Sequence, residues 1–124
     1  MSIIQEIEDY VSKYGGSFSS WYIGIAEDPE DRLFNQHNVN KKNDNWIYRP
    51  TSSSATARNI EQYFLGLGMD GGSGGGDYLS KAVYCYKKTY LTNPWVLWKL
   101  RNNRYMRINY FGGQNMPGVF CPPK

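Results

Sequence analysis

Apolar residues at the start of the chain recur at helical spacing, through Ile3, Ile4, Ile7, Tyr10, Val11 and Tyr14, and predict an amphipathic helix from about Ser2 to Tyr14. Ser2 with Gln5 three residues on fits a capping box, and Gly15-Gly16 stops the run. The period then drops to two. Trp21, Ile23 and Ile25 alternate with Tyr22, Gly24 and Ala26, so a strand here has one bulky apolar face and a second face with room beside Tyr22. Asp28 supplies a cap oxygen, Pro29 suits a first helical position and Asp31 adds charge where the helix dipole favours it. A helix should begin at about Pro29, with Arg32 one turn in.

Further along, 38–45 is polar and reads as a surface loop, and Trp46-Ile47-Tyr48 as a short strand closed by Arg49-Pro50. Cap candidates over 51–54 precede a second helix with a stripe at Ala57, Ile60, Phe64 and Leu67. The glycine-rich stretch 66–77 lacks the lysine of a phosphate-binding Walker loop and reads as a flexible connection, with Asp70 and Asp77 as further carboxylates. Residues 81–89 alternate as a strand, with Tyr84 and Tyr86 facing outward or toward a partner. The expected fold is α/β in the α+β sense. It is a small, mainly antiparallel sheet of three to five strands, flanked by the N-terminal, Arg32 and Glu61 helices. Composition changes at Asn93-Pro94, which divides the chain into a domain over 1–92 and a basic, aromatic extension over 93–124.

Composition narrows the chemistry. Cys85 and Cys121 are the two cysteines and His37 is the one histidine, which excludes a disulfide scaffold and multi-histidine metal sites. No apolar run approaches the ~20 residues of a membrane span, and the first residues lack a signal-peptide pattern, so a cytoplasmic protein without membrane contact is expected. The net charge of +3 is unevenly placed. Residues 1–77 hold six basic and eleven acidic side chains, and 78–124 hold eight basic and none acidic. A basic, Trp- and Tyr-rich half is the profile of a polyanion-binding surface, or of a solvated surface with no partner. Nucleic acid is the expected partner, DNA ahead of RNA, with Lys41, Lys42, Arg49, Arg104 and Arg107 as candidate contacts. Tyr105, Arg107 and Asn109 would share one face of a strand, an arrangement suited to stacking on bases. Scattered cations in a loop are also what solvent alone would select.

Glu61 follows Ala57 by four residues and precedes Phe64 by three, which sets a carboxylate at the edge of a buried helix face. Burying one unpaired is costly. Either a hard divalent cation or a salt bridge, to Arg58 or Arg32, would account for it.

Taken together, Tyr22-Ile23-Gly24, Arg32 ten residues later and Glu61 on a following helix resemble the second half of the motif of the GIY-YIG nucleases. The resemblance covers about 20–89. It implies a metal-dependent endonuclease in which Tyr22 orients or deprotonates water, Arg32 neutralises phosphate charge and Glu61 holds Mg²⁺ or Mn²⁺. His37 stands one position past the family's helical histidine, where this chain has Gln36. The family's first strand, with its Gly-Ile-Tyr, has no match, since Tyr10 and Tyr14 lie on the helical stripe, and no asparagine follows Glu61 before Asn93. Three functions therefore stay open: a nuclease, a non-catalytic nucleic-acid-binding module on the same fold, and a protein-interaction module.

Overall fold

The protein is described by a computed structural model covering residues 2–72 and 77–93. Helix α1 spans Ile3–Tyr14. Ser2 caps it by accepting from the Gln5 backbone N–H at 3.1 Å, while the Gln5 side chain turns to Asp9, so only half of the capping box forms. Ile7 and Val11 are buried, but Tyr14, expected in the core, is exposed. Tyr10 is half-buried, its hydroxyl accepting from the Trp46 N–H at 2.9 Å.

Strand β1 is Trp21–Ala26. Asp28 accepts from the Asp31 N–H, and the helix opens at Pro29 as expected. It then widens into a π-helix over Asp31–Gln36, in which the His37 N–H reaches back five residues to the Arg32 carbonyl at 2.8 Å. Such turns often accompany functional sites. Asn38 takes the left-handed conformation at φ 60°, which asparagine tolerates, and turns the chain into the loop before β2. Strand β2 runs Trp46–Pro50, two residues beyond the expected end, because a proline is tolerated at the terminus of an outer strand. Helix α2 is Ser54–Gly66, capped by Ser53, and Leu67 falls past its end and is exposed rather than completing the stripe. Strand β3 is Ala82–Lys87.

The fold is α+β, with a three-stranded antiparallel sheet in the order β1-β3-β2 among the described residues. Register sets which side chains share a face. Ile23, Cys85 and Ile47 lie in one row across the strands, and Tyr22, Tyr86 and Trp46 in the next, pointing the other way. The first face is aliphatic and packs under α1 and α2, with Ile7, Val11, Ala57, Ile60, Phe64 and Met69. Each of the larger of these side chains removed from water contributes ~1.5–3 kcal/mol. The second face is aromatic, with Tyr84 and Tyr86 packed against Leu33 and Val39 and half-buried Tyr22, Phe34, Trp46 and Tyr48 around them. Outside β1, Asp70 bridges to Tyr22 in parallel, exchanging backbone hydrogen bonds of 2.9 Å with Trp21 and Ile23.

The chain divides into two compact units, Met1–Thr89 and Tyr90–Lys124, three residues ahead of the boundary read from composition. Of the second unit the described residues are 90–93, with a 3₁₀ turn at Tyr90–Thr92. Among the described residues no helix is long and apolar enough to cross a membrane.

Candidate functional site

The site is built on the aromatic face, and Gly24 makes it. Tyr84 lies opposite Gly24 on β3, and a Cβ on Gly24 would come within 2.5 Å of the Tyr84 Cζ and hydroxyl. The room that the alternation of β1 leaves beside Tyr22 is thus occupied by a second phenol from the next strand. Tyr22 stacks on Tyr86 with centroids 5.1 Å apart, and the His37 ring leans on Tyr22 at 4.7 Å. His37 joins the phenols. Its Nε2 is 2.9 Å from the Tyr84 hydroxyl and its Nδ1 is 3.0 Å from that of Tyr86. The π-helix delivers both His37 and Arg32 toward this point, and the Arg32 side chain opposes the rise that burial imposes on the Tyr84 phenol.

Electrostatics here favour uncharged rings. Burial pushes His37 down to about 4, with the Arg32 cation adding to the effect, so at neutral pH it is an imidazole with one N–H. The Tyr22 phenol is pushed up, first by burial and then by the Asp70 carboxylate, against a backbone hydrogen bond from Gly72 and the charge of Arg32. Tyr84 and Tyr86 are raised further, mainly by burial. Every phenol of the cluster is therefore protonated in the absence of a further cation.

Glu61 is 5 % exposed, and burial raises its carboxyl above the ordinary range while the Arg58 charge opposes the shift. Among the described residues it has neither a hydrogen bond nor a salt bridge, so neither expected ion pair, to Arg58 or to Arg32, forms as a contact. Its charge is nonetheless felt by both Tyr22 and Tyr84, the phenols that also feel Arg32. Beside Arg32 opens a cleft of roughly 400 Å³, lined also by Ala26, Glu27, Asp28, Asp31 and Asp77. Asp31 is held below the usual carboxylate range by hydrogen bonds from Asn35 and Gln36. The mouth is acidic around a single guanidinium.

The structure thus brings Tyr22, Arg32 and His37 together on the aromatic face, while Glu61 sits on α2, which packs on the aliphatic face, and enters only as the smallest contribution at Tyr22 and Tyr84. The structure does not bring the described basic candidates, Lys41, Lys42 and Arg49, there. Arg49 points to the aliphatic side of β2, where its Nε donates to Glu6 at 2.6 Å and its Nη1 to the Tyr48 carbonyl. Lys41 and Lys42 are exposed on the loop before β2, with the Lys41 ammonium 5.4 Å from the centre of the Phe34 ring. Arg104, Arg107 and the stacking face with Tyr105 and Asn109 lie outside the described residues. Sequence reasoning missed Tyr84 and Tyr86 as site residues. The signal available was a small residue, Gly24, among bulky ones, which asks for a large side chain from the neighbouring strand.

No described group of three or more His, Cys, Asp or Glu residues is placed to enclose a metal ion. A hard divalent ion does not require one, since Mg²⁺ commonly takes one or two protein carboxylates and keeps waters and substrate oxygens for the rest. The Glu61 carboxylate, with no hydrogen bond or salt bridge among the described residues, fits that mode. Comparison with protein-family models, with curated proteins and with solved structures gives no match to this chain.

Proposed function

We propose that the protein is a divalent-metal-dependent endonuclease that hydrolyses phosphodiester bonds in nucleic acid, DNA ahead of RNA, with a site resembling that of the GIY-YIG nucleases. One observation carries the reading. Glu61 is a carboxylate kept almost out of water with no hydrogen bond or salt bridge among the described residues, on the helix that follows the strands and turn carrying Tyr22 and Arg32. An arrangement of that kind costs stability and is rationalised by a cation that the carboxylate would hold. Bound Mg²⁺ or Mn²⁺ would supply Lewis-acid compensation for the charge on the phosphate.

The chain's own residues do the rest. Arg32, at the cleft, neutralises non-bridging oxygens as charge accumulates. Tyr22 orients the attacking water through its phenol, which stays protonated at neutral pH until a nearby positive charge lowers it. His37, neutral and wedged between two hydroxyls, serves as a hydrogen-bonding bridge rather than as a cation. The first strand of the family is not reproduced, because the residues about eleven before Tyr22 form α1. Tyr84 on β3 brings a second phenol instead.

The test is nicking of a supercoiled plasmid with Mg²⁺ or Mn²⁺. Glu61→Gln and Arg32→Ala should each lower the rate by about 10²–10³-fold in protein that unfolds as cooperatively as the wild type. Undiminished nicking by both variants would remove the reading. A second reading, a non-catalytic nucleic-acid-binding module on the same fold, is favoured by the protonation states, since no phenol is poised as a base without added charge. Salt-sensitive binding by the wild type with no cutting in either metal would select it.

A further inference from the structure

The chain that leaves α2 returns along β1 and meets the hydroxyl of Tyr22. Gly68 turns it, in a left-handed conformation at φ 112°, and the Gly68 and Met69 N–H groups donate to the Leu65 and Phe64 carbonyls at 3.1 Å. Met69, 4 % exposed, anchors the turn in the aliphatic core. Asp70 then lies parallel to β1, donating to the Trp21 carbonyl and accepting from the Ile23 N–H, each at 2.9 Å. One oxygen of its carboxylate accepts from the Gly71 N–H at 2.9 Å, and the other pairs with the Lys88 ammonium at 3.2 Å. Lys88 is itself tied to β1, its N–H donating to the Ser20 carbonyl at 2.8 Å. The strap over 70–72 is therefore held from α2, from β1 and from the end of β3.

What the strap touches depends on its lack of side chains. A Cβ on Gly71 would lie 2.7 Å from Leu65 Cδ2 and 3.1 Å from the Ile23 carbonyl oxygen, crowding the strap off β1. A Cβ on Gly72 would lie 2.8 Å from the Tyr22 hydroxyl, closer than real contacts allow. Tyr22 does not yield cheaply, because its ring stacks on Tyr86 at 5.1 Å and carries His37 at 4.7 Å. Glycine thus serves twice on this face: Gly24 admits the tip of Tyr84, and Gly72 admits the tip of Tyr22. The two phenols differ in access. Tyr84 is 1 % exposed, whereas Tyr22 is half-buried and the glycine against its hydroxyl is exposed.

We propose that Gly72 is a positioning residue for Tyr22: the strap, rooted in α2 by Met69 and tied to Lys88 through Asp70, fixes where the Tyr22 hydroxyl stands, and only glycine leaves room for it. The task of that hydroxyl toward a phosphodiester rests on the nuclease reading; its placement does not.

The test is a double-mutant cycle in the full chain between Gly72→Ala and Tyr22→Phe, with ¹³C-labelled tyrosine rings. The Tyr22 resonance is the one lost in Tyr22→Phe. In the wild-type background Gly72→Ala should lower the urea midpoint, shift the Tyr22 resonance and slow nicking at saturating DNA by about 10–10²-fold with KM unchanged. In the Tyr22→Phe background, where the added methyl meets no oxygen, the same substitution should change neither the midpoint nor the residual rate. Equal effects in both backgrounds overturn the proposal, since a glycine needed only for the chain's path would act regardless of the hydroxyl. An unshifted Tyr22 resonance in Gly72→Ala overturns it as well. If Gly72→Ala fails to fold, recovery of folding by adding Tyr22→Phe supports the proposal and no recovery overturns it. A wild type that cuts no DNA removes the nuclease reading, and the midpoint and resonance then decide the positioning alone.

Discussion

The two faces of one sheet are built for different work. On the aliphatic face Ile23, Ile25, Val83 and Cys85 are 0–1 % exposed beneath two α-helices, and the core there ends in methyl groups and rings. On the aromatic face equally buried Tyr84 and Tyr86 end in hydroxyls, and what covers them is a π-helix and a loop rather than a regular helix. Each polar tip buried there needs a partner, and His37 serves two of them at once. Stability on one face comes from area, and on the other it is conditional on protonation and hydrogen-bond direction.

The largest test of that division is Phe64→Ala. Phe64 is 0 % exposed in the aliphatic core, and its truncation should cost about 3–5 kcal/mol in urea unfolding while leaving the His37 tautomer unchanged. A loss below ~1 kcal/mol would show that the α2 packing is not where stability resides.

Next in size is pH. His37 has its ordinary value of 6.5 in the unfolded chain and about 4 in the folded one. Between those values the unfolded state binds more protons, so stability is full above ~6.5 and declines as pH falls toward 4, by on the order of 2–3 kcal/mol. Urea midpoints at a series of pH values should show this slope, and His37→Gln should flatten it. An unchanged slope in the variant would place the titration elsewhere.

The smallest expected effect has the opposite sign. The carboxyl of Glu61 is raised on folding, so its contribution is present at acid pH and is lost as pH rises above the usual carboxylate range. Glu61→Gln should therefore stabilise the metal-free protein at neutral pH by about 1 kcal/mol and abolish any rise in Tm on adding Mn²⁺. Destabilisation by the variant would mean that the carboxylate is already compensated, with Arg58 as the nearest source of charge.

Much of the scaffold was legible because local rules sufficed. Ser2 and Asp28 were named as caps from residue type and position, and the period-two run over 21–26 gave β1. What was hidden depended on pairing. Alternation says that Tyr84 and Tyr86 share a face, but the register with Gly24 and Tyr22 decides that this face is covered and joined to His37. Glu61 was expected at the edge of a buried face, and packing puts it inside that face with no hydrogen bond or salt bridge among the described residues. Arg49 looked like a phosphate contact until strand pairing turned it toward Glu6 on α1. The widening of the helix at Arg32 left no trace in periodicity, since six residues are too few to reveal a change of pitch.

The strand order has a bearing on how the molecule comes into being. Among the described residues every ladder between strands involves β3, with Trp21 meeting Lys87 and Pro50 meeting Ala82, so neither earlier strand finds a partner strand until the latest of the three has been synthesised. On the ribosome, α1 and α2 emerge with an apolar face and nothing to lay it against, and sheet formation waits on long-range closure of the chain. Nascent chains halted before residue 82 should accordingly be protease-sensitive, whatever helix they already contain.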